Sequence, residues 1–342
     1  MASSRLKAAL LLALGVTILA AMVVWVGPGR VLLALSRASP VYLGLAVLAY
    51  AAFFVLRGWR WKTLFSQSAP DVRLSSTTGI TAVGWLANSI VPLKGGDVLR
   101  AALLAKKEKV GLGPAASTVA LERVLDMLGL AIVAAIGLFM IPDDTRAALP
   151  HGIARALEIA WILPILGLAC LGVLVLLRER VVALASRTIG QWGRFGVRVV
   201  EYLATTLAGL AALARKPKLM LALVPQSILV GAAQAAIFAF LVAAFLPGTP
   251  LVLAFAGGSL FLLSFVVSVT PGNVGTYEAA FVAVFVALGL PSDLVVPAAI
   301  LTHLTTTMIV AVLGSLGMLT LGLEGKALAW RPAKAPLGGG AQ

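Results

Sequence analysis

Pro92-Leu93-Lys94-Gly95-Gly96-Asp97 and Pro271-Gly272-Asn273-Val274-Gly275-Thr276-Tyr277-Glu278 interrupt this chain in the same way, each following one apolar run and preceding another. Proline ends an incoming helix, and glycine admits the tight or positive-φ turn that starts the next. Each stretch therefore reads as a break between two half-helices. Backbone that leaves the helix at membrane depth exposes unsatisfied N–H and C=O groups, so it survives only where protein buries it or it lines a wet cavity. Two such breaks, one in each half of the chain, point to a transport site near the bilayer midplane. The hinge positions are Pro92, Gly95 and Gly96 in the first half and Pro271, Gly272 and Gly275 in the second. A half-helix beginning near Asp97 or Thr276 would aim free N–H groups at an anionic head; a plain hairpin turn accounts for the same residues.

Composition requires the membrane. The 342 residues are 61% hydrophobic and 12% charged, with a mean hydropathy of +1.04, which is more apolar surface than a water-soluble fold can hide. The fold class expected is an all-α polytopic membrane protein. The single cysteine, Cys170, lies in an apolar run and reads as packing; it excludes a disulfide framework or a thiolate metal site. A span needs about 20 apolar residues, and six candidates stand out at roughly 6–26, 41–56, 114–141, 159–177, 219–246 and 294–323. The first is long and has no clear small-residue cleavage site after it, so it is expected to be a retained span and not a signal peptide.

Residues 76–107 and 251–290 carry the two breaks and form either crossings or re-entrant hairpins; charge decides between them. If both enter and leave on one side, twenty of the 27 basic residues face the cytoplasm, including Arg57, Arg60 and Lys62 in an inner loop and the eight from Arg178 to Lys218. Four fall outside (Arg30, Arg37, Arg146, Arg155), and Lys94, Arg100 and Arg123 stay within the membrane. That satisfies the positive-inside rule, whereas letting only the first break cross would expel the eight-charge loop. Both termini are then cytoplasmic, and about six transmembrane helices plus two re-entrant helical hairpins make an inverted-repeat arrangement in one membrane domain. Its first half is about 41–177 and its second about 219–323, with a cytoplasmic connector at 178–218 and a short cytoplasmic tail at 324–342. The stretch from Val181 to Leu213, where Arg187, Arg194, Arg198 and Glu201 alternate with Trp192, Phe195 and Tyr202, suits an amphipathic helix in the interface or a solvated connector. The net charge of +14 follows from this topology, with attraction to anionic inner-leaflet lipid as a by-product. Nothing in it suggests nucleic acid.

Chemistry rests on the residues charged at depth. Asp97 and Arg100 flank the exit from the first break, Glu122, Arg123 and Asp126 sit in the following span, and Glu278 and His303 belong to the second half. On a helix Glu122 and Asp126 share a face, and Arg123 neighbours Asp126. Each such group costs at least roughly 2.5–3.5 kcal/mol at the bilayer centre unless it finds a partner or water. One reading is an ion-pair cluster that staples the hairpin to the span. The other is a substrate site in which Lys94, Arg100 and Arg123 hold a lipid phosphate and Asp97, Glu122, Asp126 or Glu278 pair with them when the site is empty. Three bases stand against four acids in this set. His303 has no second His or Cys beside it in the membrane, so it reads as a packed or cavity-lining residue, and no metal or other cofactor is expected. His151 falls in an outer loop.

The runs Asn88 to Arg100 and Ser117-Thr118-Val119-Ala120-Leu121-Glu122-Arg123-Val124-Leu125-Asp126 resemble the lysylphosphatidylglycerol synthase transmembrane family, also represented by the membrane half of the bacterial multiple peptide resistance factor. Arg57-Gly58-Trp59-Arg60-Trp61 is similar to its cytoplasmic R-x-x-R-W stretch, and Thr270 to Ala280 to its P-G-x-x-G-x-x-E-A segment. The resemblance, from about Tyr50 to Leu323, implies an inverted-repeat bundle of the bacterial cytoplasmic (inner) membrane that moves lipid between leaflets. Two departures are His303, where relatives often carry Arg, and Asp97, where Glu is frequent. With no aminoacyl-transfer domain expected after the last span, synthase activity is not implied.

The function expected is therefore a flippase for an anionic phospholipid or lipid-linked head group, not an enzyme, with membrane lipids as partners and homo-oligomerisation compatible with the sequence. The alternatives are an isoprenoid-lipid carrier (a polyprenyl-phosphate glycan or a hopanoid), a membrane-embedded enzyme acting on lipid heads, and a scaffold for a lipid-modifying partner. No Gly-x-x-x-x-Gly-Lys-Ser/Thr phosphate loop occurs, so transport would be facilitated or ion coupled.

Overall fold

A computed structural model describes residues 24, 27–65, 71–90, 95–147, 162–264 and 271–322. Among them the chain is helical, with short connections and no strand. A short α1 (Pro28–Ser36) precedes the long α2 (Pro40–Phe65). The first hairpin is α3 (Leu74–Ile90) and α4 (Gly95–Lys107), followed by α5 (Leu112–Phe139), a single turn α6 (Asp143–Ala147) and α7 (Ile162–Leu176). The connector folds as α8 (Arg178–Thr188), a 3₁₀ turn (Ile189–Gln191) and α9 (Gly193–Ala214). Then come α10 (Pro217–Phe245), α11 (Leu251–Ser264), a 3₁₀ turn (Pro271–Asn273), α12 (Thr276–Ala287) and α13 (Ser292–Thr320). Apart from Val24, the expected span 6–26 lies outside the described residues, as do Pro92, Lys94 and the tail 324–342.

By length and composition α2, α10 and α13 can each cross a membrane. Helix α5 is as long, at 28 residues, but carries Glu122, Arg123 and Asp126 near its middle. The largest departure from expectation is in α2. The span expected to stop at residue 56 continues as helix to Phe65, so Arg57, Arg60 and Lys62 lie on the helix and not in a loop. Apolar residues continue past the charges, with Trp61, Leu64 and Phe65 buried, and this burial carries the helix on. Cys170, expected to pack, is exposed on α7. The connector is two helices with a turn at Ile189–Gln191 rather than one amphipathic helix.

Packing builds two apolar clusters with a polar layer between them. One gathers Tyr50, Phe53, Leu138, Phe245, Phe281, Phe285 and Val295. The other gathers Trp61, Phe65, Leu104, Val119, Leu219 and Leu321. Helices α2 and α10 run antiparallel: Ser39 N donates to Ala244 O, Arg60 to Ser227 and Gln226 to Thr63. Element pairings repeat between the halves. Helix α3 packs on α13 as α11 packs on α5, and α4 on α5 as α12 on α13.

Both hairpins have antiparallel legs. In the second, Phe261 meets Tyr277 and Phe281, and its turn needs positive φ at Gly272 (62°), Asn273 (61°) and Gly275 (81°). In the first, the legs touch through backbone at Gly96, where an added Cβ would sit 2.0 Å from Gly84 O and 2.7 Å from Asn88 Oδ1. That contact brings Asp97 and Arg100 against α5, so Gly96 is a positional requirement of the site.

Gly96→Ala must separate the two legs and is expected to destabilise the protein by about 1–3 kcal/mol. Gly44, where an added Cβ would meet nothing within 4 Å, should accept alanine without loss. Thermal unfolding in detergent compares the two; equal melting temperatures would refute the close-contact account.

Candidate functional site

The polar layer is made by α2, α4 and α5. Arg57, Arg60 and Trp61 fall at i, i+3 and i+4 on one face of α2. Arg57 Nη2 donates to Asp126 Oδ2 at 2.7 Å, and Arg60 Nη2 donates to Asp126 Oδ1. Arg60 also reaches Ser227 Oγ at 3.2 Å, a bond that crosses between the halves. From α4, Arg100 donates to Glu122 Oε2 and lies over the Trp61 ring, 4.4 Å from its centroid. Glu122 Oε1 stands 3.6 Å from Arg60 and 4.0 Å from Arg57. Arg57, Arg60, Arg100 and Glu122 have side chains no more than 1% exposed. Ions so placed are held only because each has its counter-ion, and loss of one partner leaves a desolvated charge.

Above this dry layer is a wetter one. Arg123 donates through Nε to Asp97 Oδ2 at 2.9 Å and through Nη2 to Asp97 Oδ1 at 2.6 Å, a two-pronged bond between span and hairpin. Asn88 orients the acid, its Nδ2 donating to Asp97 Oδ1 at 3.3 Å while its Oδ1 accepts from Gly96 N at 2.8 Å. Arg123 is 25% exposed and Asp97 16%.

The second half supplies the opposite wall. Glu278 Oε1 meets His303 Nδ1 at 2.5 Å, and its Oε2 accepts from Gly275 N at 2.7 Å, so one carboxylate joins the turn before α12 to α13. His303 stacks on Tyr277 with centroids 4.2 Å apart. Between the walls lies a cavity of about 270 Å³ lined by Arg57, Asn88, Ser89, Arg123 and Asp126 from the first half and by Gly272, Asn273, Tyr277, His303, Thr306 and Thr307 from the second. That size suits a head group and not a whole lipid.

Of the residues singled out from sequence, Arg123, Asp126, His303 and Gly272 face the cavity, whereas Arg100 and Glu122 lie behind its wall as a buried pair. Glu278 partners His303 and Gly275 N, and among the described residues it forms no ion pair with a cation of the first half. Lys94 and Pro92 lie outside the described residues. Arg57 and Arg60, assigned by sequence to a loop, complete the network and change its balance to four guanidiniums against three carboxylates. Their spacing on one face, with Trp61 beside them, was the available signal.

The family described as the lysylphosphatidylglycerol synthase TM region matches residues 12–314. A UPF0104 membrane protein of Methanothermobacter thermautotrophicus is 32% identical over 158 residues, 45% of this chain and 47% of that protein. The glycosyltransferase AglD of Haloferax volcanii is 28% identical over 148 residues, 42% of this chain and 24% of that protein. These matches thus span less than half of either relative. Both relatives are archaeal, so the similarity does not assign the chain to a bacterial membrane. No solved structure matches the chain.

Asp126→Asn should destabilise the protein by about 3–5 kcal/mol, because it strands Arg57 and Arg60. Arg123→Ala should cost about 1 kcal/mol or less, its pair being partly wet. Denaturation of the purified variants measures both, and a similar small loss in each would contradict the two-layer description.

Proposed function

We propose that this chain, which belongs to the lysylphosphatidylglycerol synthase transmembrane-region family, carries an anionic lipid head group between leaflets through the cavity shared by the two hairpins, with the tails remaining in lipid. The observation that carries this reading is Arg123 on the cavity wall, in front of a network with one guanidinium in excess. Phosphate is the anion that a partly wet guanidinium at a lipid-facing depth is suited to bind. Asp97 occupies Arg123 when the site is empty, and a phosphate takes its place.

Helix length supports a re-entrant second hairpin. At 1.5 Å per residue α12, of 12 residues, extends only roughly 18 Å, short of the roughly 30 Å hydrocarbon core. The antiparallel course of α2 and α10 and the repeated pairings support an inverted repeat. Two apolar clusters flanking the charged layer suit a site near the midplane. In this reading both termini face the cytoplasm, and membrane lipids are the partners. In this reading the chain acts as a carrier rather than an enzyme, and Asp126, the carboxylate among the described wall residues, has each oxygen engaged by a guanidinium. Similarity to a protein named a glycosyltransferase favours one variant, in which the cargo is a lipid-linked sugar phosphate.

In reconstituted vesicles Arg123→Ala should reduce movement of a fluorescent anionic phospholipid at least tenfold, while Arg187→Ala, on the exposed connector, should leave it within twofold. Unchanged movement in Arg123→Ala would remove the head-group site. In a Cys170→Ser background, cysteines at Arg187 and at Asp144 or Ser292 should label from opposite sides of the membrane; labelling of all three from one side would sink the two-hairpin topology.

A further inference from the structure

A ligand cation in this cavity would need a free carboxylate or an open aromatic face. Neither is on offer. Asp126 is the single carboxylate among the described lining residues, and Arg57 and Arg60 hold its two oxygens. Asp97 is not on the cavity wall, and when a phosphate takes Arg123 it keeps Arg100 at 4.0 Å and the Asn88 amide beside it, while Glu278 is held by His303 and Gly275 N. The lining aromatics are engaged among themselves or by Arg57: Tyr50 packs on Phe53 and Phe54, and Phe238 on Phe261 with centroids 5.0 Å apart. The Arg57 guanidinium lies 5.4 Å from the Phe53 centroid and 5.5 Å from that of Trp85, and His303 covers Tyr277.

What the wall does leave free is neutral. Gln234 and Thr307 line the cavity and have no side-chain partner among the described residues. An amide donates and accepts, and a hydroxyl does both, so the pair matches the hydroxyls of a polyol or sugar. An ammonium brought here would lose its hydration with no free carboxylate among the described lining residues to receive it.

We propose that the head group this cavity takes is a phosphodiester bearing hydroxyls and no cation, a polyol or sugar phospholipid, and that aminoacylated or amine-bearing head groups are excluded by charge. This rests on the carrier reading for the lipid as cargo, and it adds the selection among lipids.

The test is competitive retention. The full chain is reconstituted with equimolar phosphatidylinositol, phosphatidylglycerol, phosphatidylethanolamine and lysylphosphatidylglycerol, extracted gently, and read by native mass spectrometry. Phosphatidylinositol or phosphatidylglycerol should be retained at least tenfold over either amine-bearing lipid. Gln234→Glu supplies the missing free carboxylate and should raise retention of lysylphosphatidylglycerol relative to phosphatidylglycerol by at least tenfold, whereas Gln234→Leu should lower polyol lipid retention without admitting the cation. Equal retention of the lysyl lipid by the unmodified chain, or no gain in Gln234→Glu, overturns the inference. Selective retention with no movement in vesicles leaves it standing and removes the carrier reading. Movement of all four lipids at one rate does the reverse.

Discussion

Everything in this structure is arranged around four guanidiniums that have been taken out of water. A guanidinium does not shed its charge when buried, because its proton affinity is too high, so the chain must bring carboxylates to it. Asp126 answers Arg57 and Arg60, Glu122 answers Arg100, and Asp97 answers Arg123. These pairs join α4 and α5 to α2, whose arginines lie 66 to 69 residues before Asp126, and they fix how the first hairpin sits against α5. Such pairs contribute little net stability over an apolar core of the same shape. Their effect is on register: a slip of one turn in α2 or α4 would strand an ion.

How far the site was legible depended on what interrupted the hydropathy. The breaks at Gly95-Gly96 and Gly272 to Gly275 were plain, because proline and glycine punctuate the backbone by sterics alone, and α12 begins at Thr276, the position expected. Glu122, Arg123 and Asp126 were plain for the opposite reason: charge stands out inside a long apolar run. Arg57 and Arg60 were misassigned because two arginines and Lys62 close together look like the end of a span. Only the partners, 66 to 69 residues on, show that the charges are internal. The Glu278–His303 pair was equally out of reach, since its members are 25 residues apart on different helices.

The two halves meet with similar pairings but unlike chemistry. In the first, carboxylates serve guanidiniums. In the second, Glu278 serves a backbone N–H at the start of α12, where the helix dipole favours an acid, and a histidine. One wall of the cavity is thus set by strong ion pairs and the other by a turn whose positive φ values at Gly272, Asn273 and Gly275 are held by the same carboxylate that reaches His303.

The graded burial of the ion pairs also says which of them can take part in a transport cycle. A ligand shifts a conformational equilibrium only by its differential affinity for the two states, so it must compete with a bond that differs between them. Arg57, Arg60 and Arg100 are dry, and parting them from their acids would leave charges with no water to receive them. Arg123 and Asp97 are 25% and 16% exposed, and their bond joins α4 of the first hairpin to α5. In the carrier reading a phosphate that takes Arg123 from Asp97 replaces one anion by another at the guanidinium, so the arginine stays satisfied, and the dry Arg100–Glu122 pair still holds α4 to α5. The acid set free is already beside Asn88 and at the N-terminus of α4, where exposed N–H groups favour a negative charge. Exchange at this one bond therefore costs little on either side, while the dry pairs behind it stay closed.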